Sequence, residues 1–264
     1  MARIAVAATA PLGAEVLERL ASRHEIAYLL TRPDRPRGRG RRLAPPPAKE
    51  VAERLWIPAR QPERLDEAFS PDVDTFVVVA YGQLVPRGAL ERARWLNVHP
   101  SLLPRWRGAA PVERALMAGD AETGVSIIEL VEELDAGPIA AQQRLTVGAD
   151  DDAGAVFARA AELAPGLIDA ALANHQPAPQ FEDGITYAEK IAPADRELDW
   201  SRPPEELHNR IRALSPHIGA RGLLEGRPAI VWRSRLSDAG LELLEVQPEG
   251  RRRMTYDEFL RGLR

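Results

Sequence analysis

Short apolar runs alternate with amphipathic segments through the first half of the chain, the pattern of a parallel sheet whose faces are covered by helices. Arg3 to Ala8 predicts a strand, Leu12 to Ala21 a helix, Glu25 to Thr31 a second strand and Ala48 to Leu55 a second helix. Asp74 to Ala80 carries Phe76, Val77, Val78 and Val79 in succession. A continuous run of this kind suits a strand covered on both faces, which places it at the sheet centre. Trp95 to His99 predicts a further strand, Val112 to Ala118 a helix, Gly124 to Leu130 a strand, and Ile139 to Leu145 an antiparallel edge. From 151 to 174, Val156, Phe157, Ala160, Leu163, Leu167, Ile168 and Ala171 recur at helical spacing, so a long helix is expected, kinked at Pro165.

The pattern changes after His175. As far as Asp199 the chain is polar and proline-bearing, which reads as a linker. A smaller unit follows, with a helix over Pro203 to Leu214, strands at Ala220 to Leu224, Ala229 to Trp232 and Leu241 to Val246, and a terminal helix over Tyr256 to Leu263. The expected organisation is an α/β, Rossmann-like domain with a mixed, mostly parallel sheet over 1–175, a linker over 176–200 and a small C-terminal unit over 201–264. A length of 264 residues and an apolar fraction of 45% fit one large or two modest globular domains. Cysteine is absent, which excludes disulfides, thiolate nucleophiles and thiolate metal sites. No run approaches membrane-spanning length, and the opening MARIAVAATAPLGAEV meets an acid too soon for a signal peptide, so a cytoplasmic protein is expected.

Charge matters locally. The net charge of −4 argues against a general nucleic-acid coat. Only Lys49 and Lys190 are lysines, so almost every cation is a guanidinium. Two clusters stand out: Arg35, Arg37, Arg39, Arg41 and Arg42, interleaved with Gly38 and Gly40, and the triplet Arg251, Arg252 and Arg253. A solvated surface explains either cluster as it stands.

Ligands of open α/β sheets bind outside the carboxyl ends of the strands. Asn97 and His99 lie at such an end and alternate with Val98, so both point the same way. Asp135 follows the next strand, in Leu134-Asp135-Ala136-Gly137-Pro138. A carboxamide and a protonated imidazole can donate to a developing oxyanion, and a carboxylate can orient the imidazole and favour its charged form. The set suits attack on a carbonyl by a substrate's own amine, with no covalent intermediate. Taken singly, Asn97 also fits a turn former, Asp135 a loop cap and His99 a structural imidazole.

The stretch NVHPSLLPRWRGAAPVERALMAGDAETGVSIIELVEELDAGPIAAQ resembles the catalytic core of the folate-dependent formyltransferase family. DRPRGRGRRLAPPPAKEVAE, VVVAYGQLVP, TYAEKIAPADRELDW, IRALSP and LEVQPEGRRRMTYDEFLRG extend the resemblance from Arg3 to Arg264, towards the branch acting on methionyl-initiator-tRNA. The resemblance implies transfer of a formyl group from 10-formyltetrahydrofolate to the α-amino group of tRNA-borne methionine. It assigns Asn97 and His99 to the oxyanion, and Asp135 to orienting His99 and assisting proton transfer. Folate would be contacted by Ser101, Leu102, Leu103 and Pro104, with walls supplied by Val79, Tyr81, Gly82, Leu134, Gly137 and Ile139. It also makes the run from Arg35 to Arg42 a mobile arm for the tRNA acceptor end, with Arg251 to Arg253 a second basic contact, and 201–264 a tRNA-binding type of domain. No metal is expected, since the five histidines show no ligand spacing. A monomer is expected.

Three features depart from that branch. Pro100 stands where it usually has glycine, and Ala136-Gly137-Pro138 where it usually reads Thr-Gly-Asp; both are closer to the glycinamide ribonucleotide branch. That branch, however, needs a glycine-rich phosphate cradle after the first strand, where this chain has Ala7-Ala8-Thr9-Ala10-Pro11. Nucleotide-sugar formyltransferases share the core but are not expected to carry the arginine run. Between Arg235 and Leu241 several strands are missing, so the usual OB-like barrel is expected to be truncated. A non-catalytic folate- or RNA-binding relative is the alternative of a different class, against which the intact trio stands.

Overall fold

The computed structural model describes residues 1–37 and 42–263. The apolar runs form β1 (Arg3–Ala8), β2 (Glu25–Leu30), β5 (Ala59–Arg60), β6 (Thr75–Val79), β7 (Arg94–His99), β9 (Glu122–Glu129) and β10 (Ile139–Thr146). Between them lie α1 (Pro11–Ala21), the short β3 (Arg35–Arg37) and β4 (Arg42–Ala44), α2 (Pro47–Arg54), α3 (Arg87–Leu90), β8 (Arg107–Gly108) and α4 (Pro111–Met117). Helix α5 (Ala153–Ala173) runs on through Pro165. The sheet has seven strands in the order β10-β9-β7-β6-β1-β2-β5. The continuous apolar run of β6 is thus the fourth strand, at the centre. Strands β5, β2, β1, β6 and β7 are parallel, and β9 runs antiparallel to β7.

Side chains on both faces of the central strands are excluded from solvent. In the core cluster of this sheet the Phe76 and Trp95 rings stack with centroids 3.9 Å apart, and Trp95 Nε1 donates to the Ala89 carbonyl at 2.9 Å. Such ring pairs contribute about 0.5–1.5 kcal/mol beyond area burial. Proline opens α1, where its missing N–H costs no helical bond. At Gly13 a Cβ would lie 2.6 Å from the Val79 carbonyl oxygen, so the helix can approach the ends of β1 and β6 only without one.

The chain divides into two compact units, one comprising Met1–Arg107, Gly124–Arg144 and Ala158–Ile185, the other Gly108–Thr123, Leu145–Phe157 and Thr186–Arg264. The second adds β11 (Tyr187–Ala188), α6 (Pro204–Leu214), β12 (Ala220–Leu224), β13 (Arg227–Ser237), β14 (Gly240–Pro248), β15 (Met254–Thr255) and α7 (Tyr256–Arg261). Strands β12 to β15 form a four-stranded sheet in sequence order, with β13 and β14 joined by a tight hairpin paired out to Ser237 and Gly240. That hairpin spans the short stretch after Arg235 where the sheet was expected to be truncated. Leu207, Ile211 and Leu214 of α6 pack with Val231, Val246 and Phe259. Helix α7 starts from a capping box: the Glu258 N–H donates to Thr255 Oγ1 at 3.2 Å, and the Thr255 N–H to Glu258 Oε2 at 2.9 Å. Among the described residues no helix is long and apolar enough to cross a membrane.

Candidate active site

Strand β7 carries Asn97 and His99 to the carboxyl end of the sheet, where they stand opposite Ile128 and Ser126 of β9. The tight loop after β9 brings Asp135 to them. Asn97 Nδ2 lies 3.5 Å from Asp135 Oδ1, and His99 Nδ1 lies 3.6 Å from Asp135 Oδ2. Only 4% of His99 and 9% of Asp135 is solvent-exposed, so their interaction is little screened. The three side chains expected to act together therefore meet.

The tautomer of His99 follows from its other contact. Nε2 is 2.8 Å from the Trp106 carbonyl oxygen, which can only accept, so Nε2 carries a proton and donates it there. The neutral ring then turns the Nδ1 lone pair towards Asp135. Burial holds the imidazole below its ordinary pKa, an effect that Asp135 and the Trp106 carbonyl oppose. The resting ring is therefore neutral at neutral pH, not the imidazolium the sequence suggested; it becomes a cation beside Asp135 on accepting a proton. Asp135 and Trp106 both have positive φ, +49° and +66°. A non-glycine residue in that region costs energy and persists where surrounding contacts over-determine it.

The Ser101-Leu102-Leu103-Pro104 turn is fixed by residues that the sequence pattern did not single out. Ser126 Oγ donates to the Ser101 carbonyl at 2.6 Å and accepts from the Leu103 N–H at 3.2 Å. Gln142 Nε2 donates to the Leu103 carbonyl at 3.0 Å and to Ser126 Oγ at 2.8 Å. In the sequence each is only a polar residue on its strand, Ser126 between Val125 and Ile127 and Gln142 beside Gln143. Val79 ends β6, buried. The Tyr81 ring lies in the core cluster, and burial pushes its phenol up to about 12. Gly82 has φ +75°. Leu134 is exposed, and Ile139 exchanges two backbone hydrogen bonds with Ala178. At Gly137 a Cβ would fall 1.7 Å from the Glu129 carbonyl oxygen, so the loop bearing Asp135 closes against β9 only with glycine there.

Of the arginine run, Arg35 and Arg42 are exposed on β3 and β4, which pair Arg35 with Ala44 and Arg37 with Arg42. Arg39 and Arg41 lie outside the described residues. The ends of the expected arm are thus a short antiparallel ladder. Asp34, just before it, accepts from Lys49 Nζ at 2.9 Å and from Gln61 Nε2 at 2.7 Å. In the second unit Arg251 and Arg252 are exposed, whereas Arg253 lies 3.5 Å over the Trp232 ring and donates to the Pro216 carbonyl at 3.0 Å.

An open α/β sheet whose strand ends gather an amide donor, a buried neutral imidazole and a carboxylate, with no nucleophilic side chain among them, defines a site for group transfer at a carbonyl. Residues 2–172 match the family model described as formyl transferase, residues 190–240 match the formyl transferase C-terminal domain, and the chain belongs to this family. It is 40% identical over 290 residues to a methionyl-tRNA formyltransferase of Paracoccus denitrificans, covering 99% of this chain and 97% of that protein. Among solved structures, methionyl-tRNA formyltransferase from Clostridium thermocellum matches with a TM-score of 0.67 at 15% identity, over 94% of this chain and 99% of that one. HypX from Aquifex aeolicus in complex with tetrahydrofolic acid matches with a TM-score of 0.67 at 17% identity, over 98% of this chain and 46% of that longer one.

Proposed function

We propose that this chain transfers the formyl group of 10-formyltetrahydrofolate to the α-amino group of methionine carried on initiator tRNA. The observation that carries the reading is the convergence of Asn97, His99 and Asp135 at the strand ends of a formyl transferase domain. The extent and level of identity to methionyl-tRNA formyltransferases support the acceptor.

The donor set fits such a substrate, which supplies a formyl carbonyl attached to a leaving nitrogen. Asn97 Nδ2–H is available to the oxygen that gains charge as the amine adds. His99 Nδ1, its tautomer set by Trp106, holds the proton the amine sheds and then presents an N–H to the same oxygen or, through water, to the leaving nitrogen. Asp135 stabilises the imidazolium while it exists. The Ser101 to Pro104 turn, with Val79, Tyr81, Gly82, Leu134, Gly137 and Ile139, forms the folate subsite. Arg35, Arg37, Arg39, Arg41 and Arg42 grip the acceptor end of the tRNA, and Arg251, Arg252 and Arg253 add a weaker basic contact. In this reading 1–175 is the catalytic domain, 176–200 the linker and 201–264 the domain that meets the tRNA body, in a cytoplasmic monomer.

The test is formyl transfer from 10-formyltetrahydrofolate to Met-tRNA, run beside glycinamide ribonucleotide and a nucleotide-linked amino sugar. Turnover on Met-tRNA is expected. Turnover on another amine alone overturns the acceptor, and no turnover on any of them overturns the enzyme.

A further inference from the structure

One side chain in the polar stretch after α5 joins both supports of His99. Ala178 exchanges backbone hydrogen bonds with Ile139 at 2.7 and 2.9 Å, which pins the segment alongside the start of β10. Two residues on, Gln180 Oε1 accepts from Arg107 Nε at 3.1 Å and Nη2 at 2.9 Å. Gln180 Nε2 donates to the carbonyls of Asp135 at 2.7 Å and Gly137 at 2.8 Å. Both lone pairs and both hydrogens of the amide are thereby used, and the reverse orientation would set its NH₂ against the guanidinium. Arg107 is 5% exposed, and its Nη1 also meets Glu133 Oε1 at 3.2 Å. A buried guanidinium is held firmly only where acceptors surround it.

Arg107 directly follows Trp106, whose carbonyl fixes the His99 tautomer, while Asp135 and Gly137 flank the peptide that sets the carboxylate. We propose that Gln180 is a positioning residue that sets the spacing between His99 and Asp135, bridging through Arg107 the peptide that orients the ring and the strained loop that carries the acid. It meets Asp135 at the backbone carbonyl. The inference rests on the reading that His99 and Asp135 perform formyl transfer. It accounts for how Asp135 is kept at φ +49°: the Gln180 amide holds the Asp135 carbonyl at 2.7 Å.

The experiment compares the full chain with Gln180→Ala and with the near-isosteric Gln180→Glu. The second variant keeps the size and the acceptors for Arg107 but turns a carboxylate oxygen towards two carbonyl oxygens. Each is assayed for formyl transfer to Met-tRNA and, separately, for the titration of His99 by NMR of the ring nitrogens. Expected in both variants, with folding confirmed by circular dichroism, is a kcat about ten- to a hundredfold lower, the range for displacement of a catalytic group by an ångström. The KM for 10-formyltetrahydrofolate stays within about twofold, the pattern for a loss confined to the transition state. In Gln180→Ala the His99 titration moves to lower pH, because Asp135 is the charged group that favours its imidazolium. Wild-type kcat in both folded variants together with an unmoved titration in Gln180→Ala overturns the proposal. An inactive wild-type protein overturns the functional reading instead, and the titration then still decides whether Gln180 sets the pair.

Discussion

His99 donates from Nε2 to the Trp106 carbonyl, has the Asp135 carboxylate 3.6 Å from Nδ1, and is almost wholly buried. A ring so placed has few ways to substitute for itself. His99→Ala is expected to lower kcat by about 10²–10⁴-fold, the usual worth of a positioned acid or base, with the KM for folate little changed; steady-state assays check this, and unchanged turnover removes His99 from the mechanism. The pH dependence has a definite sign. Since burial lowers its folded pKa, the activity that needs a neutral His99 persists below pH ~6.5, the ordinary imidazole value. The unfolded chain takes up this proton first as pH falls, so His99 contributes a loss of stability below the same value, and the loss grows until the folded ring also protonates. A kcat/KM profile whose acid limb lies above the ordinary value would contradict the assignment. At this scale the acid, the amide and the imidazole were legible, because strand alternation and loop position bring out polar residues at the ends of apolar runs. Gln180 and Arg107 were not, since a glutamine among prolines and glutamates reads as a linker, and the carbonyls it holds carry no sequence signal.

The elements that carry the site are held by specific features of sequence as much as by apolar area. Gly137 lets the Asp135 loop lie against β9. Gly137→Ala is expected to cost about 1–3 kcal/mol, the usual range for forced overpacking, and to lower kcat with it; thermal unfolding beside kinetics measures both, and a neutral alanine would mean that the loop has room to shift. At the other end of the sheet, Asp34 is clamped by Lys49 and Gln61 at the foot of the β3–β4 ladder, and these two neighbours hold its carboxyl below the usual range. Lys49→Ala should raise the KM for tRNA severalfold while leaving the slow hydrolysis of 10-formyltetrahydrofolate unchanged. Parallel loss of both activities would show that the clamp supports the sheet and not the hairpin. The long strands and helices were readable from apolar period. The two-residue β5, the β3–β4 ladder and β15 were not, because segments so short owe their form to a partner strand and carry no period of their own.

At the scale of the whole chain, the apolar pattern does not reveal which unit a helix joins. Val112 and Leu116 of α4 pack with Val147, Val156 and Ala213 in the second unit, although α4 falls in sequence between strands of the first; an amphipathic face looks the same whichever core it completes. The truncation of the last sheet was legible, because the chain between Arg235 and Leu241 is too short to hold further strands. With the β13–β14 hairpin turning at Ser237 to Gly240, this unit presents a four-stranded sheet. The net charge of −4 repels a polyanion at long range, so attraction to tRNA has to come from local guanidiniums. Each phosphate neutralised releases counterions, and the logarithm of binding falls with the logarithm of salt concentration by about 0.7–0.9 per contact. Replacing Arg39, Arg41 and Arg42 together by alanine is therefore expected to flatten the salt dependence of tRNA binding by about two to three units of slope if all three meet phosphates. The same variant should keep its folate hydrolysis. Filter binding across a salt series measures the slope directly: an unchanged slope with weaker binding would place these side chains on bases, and an unchanged slope with unchanged affinity would remove the arginine run from the tRNA interface.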